Sequence, residues 1–465
     1  MGNHKPYAGR TRACGLAGLA TVISLGANAG GFGLYEQSVS SMGTAYANGS
    51  AGLDDASTLF FNPASMTRLE GKNASGGVHI VHSDVEFSGK GFYNPDNPAN
   101  QATIVNEQPL AGQPIDGKKN DDLGLTAAVP HGAYSHQFND QLWFGLSVNA
   151  PFGLKTEYSD NWVGRYSAIK SELITVNINP SIAWKIDEHA SVGFGVNALY
   201  ADGELTNAVD GGLGATLQGI PIPWVPGSNT YDGKAKLTGD DWGYGYNMGI
   251  LLEPSDSTRF GIAYRSKINL TIKGDAKVSG LPEPLNELNG TNNAKLDLTL
   301  PDSLSLSGLH QLNPKWTIMA DVTWTKWSNL NKLDVEIQGG SQSVTQLQWN
   351  DTTRYAIGAT YKYNESWLLR TGVAFDETPV PDARQRTARI PDADRTWLSF
   401  GANYKLNKKL SFDLGYAHLF VDNPDINSSD AYDPTTGVNT GFHRIKGSYD
   451  ASVDILSAQV NWRFN

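Results

Sequence analysis

From about residue 120 onward, apolar and polar residues alternate with a period of two, the period of a β-strand. In LITVNINPSIAWKI (173–186) the even positions Ile174, Val176, Ile178, Ile182, Trp184 and Ile186 are apolar, while Thr175, Asn177, Asn179, Ser181 and Lys185 lie between them. WGYGYNMGIL (242–251) sets Trp242, Tyr244, Tyr246, Met248 and Ile250 against Gly243, Gly245, Asn247 and Gly249. LSAQVNWRF (456–464) repeats the pattern with Leu456, Ala458, Val460, Trp462 and Phe464 on one side. The alternation predicts fourteen strands, near 74–87, 121–136, 141–152, 171–186, 189–204, 236–253, 257–273, 295–311, 314–328, 351–363, 366–376, 394–407, 409–421 and 449–464.

Alternation alone also fits a sandwich with one wet face. The connections decide otherwise. Short turns such as QFND (137–140), DE (187–188), PSD (254–256) and NE (364–365) take turns with seven long loops, near 88–120, 153–170, 205–235, 274–294, 329–350, 377–393 and 422–448. Short turns at one end, long loops at the other and Trp or Tyr near strand ends form the pattern of a bacterial outer-membrane barrel. The predicted fold is therefore all-β: a 14-stranded antiparallel transmembrane β-barrel spanning 74–465, its seven long loops extracellular. Residues 30–73, rich in Gly, Ala and Ser, carry no strand period. A barrel this wide is either a channel or plugged, and the leftover segment is long enough to be an N-terminal hatch.

Composition narrows the function. A formal net charge of −11 argues against nucleic-acid binding, which needs a basic face. No apolar run of about 20 residues exists to form a membrane helix. Residues 1–29 resemble a secretory signal: Lys5, Arg10 and Arg12, a short apolar core at 15–27, and ANA before an expected cleavage after Ala29. Cys14, the single cysteine, falls inside that signal, so the mature chain would have no disulfide, thiol nucleophile or thiolate metal site.

Few residues point to catalysis. There is no G-x-S-x-G elbow, and His79 and His82 would face opposite sides of a strand. GFG (193–195) and GYG (243–245) lie inside strands, where glycines leave room in the lumen or let a plug approach. No enzyme activity, cofactor or metal is expected. Three stretches suggest transport instead. Pro151 and Gly153 in SVNAPFGLKTEY interrupt the third strand and can open a gap beside it, although a strand ending into its loop reads the same way. In GLGATLQGIPIPWVPG, Leu213, Leu217, Ile220, Ile222, Trp224 and Val225 form an apolar cluster suited to docking a hydrophobic ligand or to packing over the barrel mouth. In DDASTLFFNPASM (54–66), Phe60 and Phe61 need shielding from water, and Asn62-Pro63 should turn the chain.

Over nearly the whole mature chain the sequence resembles the FadL family of outer-membrane long-chain fatty acid transporters. The blocks that carry the likeness are GGFGLYEQS, the NPA of FFNPASM (Asn62, Pro63, Ala64), NAPFGLKTEY, WGYGYNMGIL, AYRSKINLTIKG, LPDSLSLSG, RTGVAFDETPVP and IPDADRTWLSFGANYKLNKKLSFDLGYAH. The resemblance implies passive uptake of a long-chain fatty acid or similar hydrophobic molecule, captured between loops 205–235 and 274–294. The ligand then enters an interior pocket bordered by Phe32 and leaves sideways into the membrane at a kink in the third strand, where Pro151, Phe152 and Gly153 fall. Asn207 and Thr345 fall near the positions where family members that grip a carboxylate carry basic residues, which leaves aromatic or aliphatic hydrocarbons as alternative cargo. From another class, an adhesin or phage-receptor barrel uses the same long loops. The expected surroundings are outer-membrane lipid and lipopolysaccharide, and the expected unit is a monomer.

Overall fold

The computed structural model describes residues 30–220 and 225–464. The expected signal segment and its cleavage point at Ala29 lie outside the described residues, as do Ile222 and Trp224 of the loop cluster.

Fourteen antiparallel strands close into one barrel. They are β1 (Lys72–Tyr93), β2 (Asn120–Asp122 and Leu125–Gln137), β3 (Leu142–Asn149 and Gly153–Glu157), β4 (Lys170–Lys185), β5 (Ala190–Val209) and β6 (Gly233–Ser255). Then follow β7 (Thr258–Arg265 and Ile268–Ser279), β8 (Gly290–Leu300 and Ser303–Gln311), β9 (Trp316–Thr325 and Lys332–Ile337) and β10 (Ser341–Gln346 and Thr352–Lys362). The last four are β11 (Trp367–Asp376), β12 (Arg395–Lys405), β13 (Leu410–Val421 and Asp425–Ser429) and β14 (His443–Phe464). Closure comes from β1 pairing with β14 in unbroken register from Lys72↔Phe464 to Tyr93↔His443. Closure pairs the first strand with the last, so the sheet ends on no free terminal strand, which is what a bilayer demands.

The outer surface carries the alternation. Ile182, Phe194, Val196, Met248, Ile250, Phe260, Ile262 and Leu306 are exposed around the wall. Aromatic residues mark both ends of this band. Trp316 with Tyr361, and Trp367 with Tyr404, sit near the short turns at 4.7 and 4.8 Å between ring centroids, while Tyr200 and Trp242 pair at 5.3 Å toward the long loops. On β6 the outward positions from Leu252 to Trp242 span about 33 Å along the strand at ~3.3 Å per residue, or about 25 Å of height at the usual tilt.

Three strands change face part-way along, which the sequence alone hides. On β7 the even positions Phe260 and Ile262 point outward, yet Ile268, Leu270 and Ile272, also even, are buried inward. The break at Ser266-Lys267 inserts one extra residue and inverts the phase. Pro301-Asp302 does this on β8 and residues 150–152 on β3, where pairing to β4 slips from Asn149↔Asn177 to Gly153↔Ile174. Beyond the bilayer, apolar side chains belong inside, because the outside is wet. Much of what the sequence suggested as loop at 274–294 and 329–350 is accordingly continued sheet: β7 runs to Ser279, β8 starts at Gly290, and Lys332–Ile337 pairs with Ser341–Gln346.

The lumen is filled by residues 30–71, nearly all of them buried. Their seat on the wall is cut by glycines. A Cβ on Gly249 of β6 would stand 1.9 Å from Asn62 Oδ1, one on Gly193 of β5 2.3 Å from the Ala64 nitrogen, and one on Gly261 of β7 1.8 Å from the Ser50 oxygen. Gly243 and Gly245 instead make room for Ile268 and Leu270 of the neighbouring strand.

Candidate functional site

The 54–66 stretch folds as a short helix, Thr58–Phe61, followed by a 3-10 turn, Pro63–Arg68. Asn62 caps that turn, accepting from the Ala64 N–H at 2.9 Å. Its Nδ2 donates to the Ser50 carbonyl at 2.7 Å and to the Ile250 carbonyl of β6 at 3.0 Å. One side chain thus ties the turn to the hatch and to the wall. Asp55 is buried and accepts from Ser40 Oγ (2.6 Å), Ser57 N (3.0 Å), Ser57 Oγ (2.5 Å) and Ser75 Oγ of β1 (3.3 Å). Phe60 and Phe61 are half-buried and line a cavity between hatch and wall, with Tyr35, Pro151, Phe152, Trp327 and Arg354. Arg265 stacks over Phe60 at 4.4 Å and donates to its carbonyl at 2.7 Å.

The first described residues lie at a junction. Phe32 is only 3% exposed, with its ring 5.1 Å from Trp327, 6.0 Å from Trp349 and 6.1 Å from Phe152. It belongs to an apolar cluster with Leu154, Leu173, Ile268, Leu296, Leu298 and Ile390. A cavity opens from Phe32 toward the long loops, lined chiefly by Leu173, Leu205, Leu237, Ile272, Leu296 and Leu333. A third cavity lies between Leu123 and Leu125, at the break in β2, and Leu154 and Thr156 of β3, with Gly31 and Ile390–Ala393 completing it. Residues 30–33 touch all three cavities.

That segment is held by backbone bonds and two carboxylates. Gly30 N donates to Asp376 Oδ2 (3.1 Å) and Gly31 N to Asp392 Oδ2 (3.0 Å). Gly153 N donates to the Phe32 carbonyl (3.0 Å), Leu34 N to the Pro151 carbonyl (2.9 Å), and Gly33 bridges Phe152 as an antiparallel partner. The bridge matters because the wall is incomplete there. β2 and β3 pair only from Gly132↔Val148 to Gln137↔Trp143, although β2 pairs with β1 as far as Leu125. The break at 150–152 leaves the outer half of β3 without β2, and residues 32–34 add a short strand to its exposed edge.

Phe32, Phe60, Phe61, Pro151, Phe152 and Gly153 therefore come together where adjoining cavities meet segment 30–33, and Asn62, Pro63 and Ala64 seat the hatch beside it. The loop residues do not join them. Leu213 is buried on the helix Gly211–Leu217 against Tyr93, Ile115 and Tyr166, Ile220 packs at Ala215 and Leu285, and Leu217 is 47% exposed. This part of the apolar cluster covers the barrel mouth.

Several residues had no signal in the strand pattern. Arg389, in the loop between β11 and β12, reaches Asn207 Oδ1 at 3.4 Å, bringing a guanidinium to one of the places where a basic residue was missed. Burial pulls its pKa down to about 10. Glu36 of the hatch is fully buried, neither carboxylate oxygen has a partner among the described residues, and burial pushes its pKa up to about 7. His79 faces inward, 5.1 Å from His131 of β2, while His82 faces outward. No group of three potential metal ligands is present among the described residues.

A family model described as "Outer membrane protein transport protein (OMPP1/FadL/TodX)" matches residues 20–464. A long-chain fatty acid transport protein of Escherichia coli O6:H1 is 33% identical over 422 residues, covering 87% of this chain and 90% of the relative. Outer membrane protein P1 of Haemophilus influenzae is 33% identical over 422 residues, covering 86% and 89%. The crystal structure of a Pseudomonas aeruginosa FadL homologue superposes with a TM-score of 0.79 at 26% identity, covering 94% of this chain and all of that one.

Proposed function

We propose, for a chain that belongs to the OMPP1/FadL/TodX family of outer-membrane transport proteins, passive uptake of long-chain fatty acids or similarly hydrophobic molecules across the outer membrane. One observation carries the reading: the short segment 30–33 partitions three cavities, the uppermost almost wholly apolar and another set against a gap in the barrel wall. A ligand descending from the long loops meets Phe32. Displacing Phe32 and its flanking hydrogen bonds removes the partition and uncovers the broken edge of β3.

Sideways exit at Pro151–Gly153 then makes energetic sense. At about 0.8 kcal/mol per methylene, releasing a sixteen-carbon chain into water would cost on the order of 10 kcal/mol, and release into the membrane avoids that. The loops above are braced for a fixed mouth. Arg165 is buried with Asp232 at 2.5 Å, and His443 lies between Asp210 and Asp430, each at 3.2 Å.

Growth of a deletion strain on oleate, restored by this chain, with saturable binding of a fluorescent fatty acid to the purified barrel, tests the proposal. Restoration on toluene or an alkane but not on oleate would assign the passage to hydrocarbons. Retained attachment to cells or phage without any saturable binding would assign the barrel to adhesion.

A further inference from the structure

We propose that the outer wall of β6–β9, just above the aromatic girdle, binds a phosphorylated glycolipid of the outer leaflet through two cross-strand lysine pairs. Above the phase breaks of β7 and β8, the inward positions are largely apolar and the outward ones polar or charged. Lys273 of β7 stands directly opposite Lys295 of β8, and Lys277 of β7 directly opposite Lys236 of β6. Directly opposed residues on one face have Cβ atoms about 5 Å apart, where like charges destabilise the sheet unless an anion lies between them.

The remaining charges sharpen the case. Lys236 pairs with Glu204 (2.8 Å) and Lys295 with Glu336 (3.0 Å), but no carboxylate lies within ion-pair distance of Lys273 or Lys277 among the described residues. The acids in the same row are gathered rather than interleaved: Asp202 faces Asp240 across β5 and β6, next to Lys273, so the row runs acid, acid, lysine, lysine, acid. Paired acids beside paired lysines suit a headgroup that brings phosphates together with their divalent counter-ions.

Position selects the lipid. Asp240, across from Lys273, is one outward position beyond Trp242 of the girdle, about 5 Å higher at the strand's rise and tilt. That is headgroup height on the long-loop side. The second pair lies four residues further along β7, about 13 Å away at ~3.3 Å per residue. Two basic pairs at that spacing fit a glycolipid with two phosphates better than a single-phosphate phospholipid.

The test is the amount of lipopolysaccharide that stays with the barrel after mild detergent extraction, measured by mass spectrometry. Wild type is compared with Lys273→Gln/Lys295→Gln, Lys236→Gln/Lys277→Gln and the matching Lys→Arg doubles. About one glycolipid per barrel is expected for wild type and the arginine variants, falling at least fivefold in each glutamine double. Added phosphatidylglycerol or inorganic phosphate should not displace it, whereas chelation of divalent cations should weaken it. Heat-modifiable mobility on gels checks folding, and ligand uptake by the variants should be unchanged. Equal glycolipid retention in folded glutamine variants, or equal displacement by phosphatidylglycerol, overturns the proposal.

Discussion

Replacing Phe32 with alanine separates a plug from a pocket wall. The side chain is buried and touches three aromatic rings at 5.1–6.1 Å. Large-to-small changes of this kind cost about 3–5 kcal/mol. If Phe32 must leave when ligand enters, that cost falls on the closed state alone, lowering the closed-to-open ratio by roughly 10²- to 10⁴-fold. The apparent affinity of a protein whose competent state is scarce rises as that state becomes common. Phe32→Ala should therefore bind a fluorescent long-chain fatty acid more tightly and take it up faster at low concentration. Equilibrium titration of the purified barrel and initial uptake rates in cells measure the two effects. Weaker binding with slower uptake would make Phe32 part of the ligand's wall and refute its role as a partition.

Other substitutions probe the seat and the latch. Gly249→Val drives a side chain into Asn62 and should unseat the hatch, raising single-channel conductance, whereas Gly290→Val, with nothing within 4 Å of its Cβ, should leave conductance unchanged. Asp376→Asn with Asp392→Asn weakens the hold on Gly30 and Gly31 and should speed uptake, with protease cutting near residue 30 as a second readout. Glu36 has a folded pKa of about 7 against an ordinary 4.5, so its contribution is full below about pH 4.5 and stability falls as pH rises through 7. Glu36→Gln should stabilise the fold at pH 8 by about 3 kcal/mol at most, read as a higher unfolding temperature, and leave it unchanged at pH 4. Burial pulls His443 down, but the bonds to Asp210 and Asp430 outweigh it and hold its pKa near 9, above its ordinary 6.5. The loop cap it joins is then intact below about pH 6.5 and loosens as pH rises through 9. Proteolysis of the long loops should follow that course in wild type and lose its pH dependence in His443→Gln.

Strand number, turn order and the outward apolar band were legible because a bilayer enforces period two on each crossing strand. The phase breaks were not. Ile262, Tyr264, Ile268, Leu270 and Ile272 all fall on even positions, with only Ser266 between them, and the inserted residue at Ser266-Lys267 moves the last three from lipid to lumen. The same hidden shift at 150–152 creates the gap in the wall, so Pro151 and Gly153 pointed to a break but not to what covers it. Asn62 was readable as a turn residue. Its bond to Ile250 depends on Gly249, 187 positions away, and no local pattern carries that. Arg389, Asp376 and Asp392 enter the site from far along the chain, and they look like ordinary loop and strand-end charges until the barrel closes.

The described chain has no cysteine, which allows a direct test of whether residues 32–34 must leave β3. Gly33 and Phe152 are bridge partners, and antiparallel partners stand within disulfide reach. In the double variant Gly33→Cys/Phe152→Cys, oxidation should abolish uptake of a labelled long-chain fatty acid while binding at the long-loop end persists, and reduction should restore it. Uptake at the same rate in the oxidised and reduced protein would contradict the account.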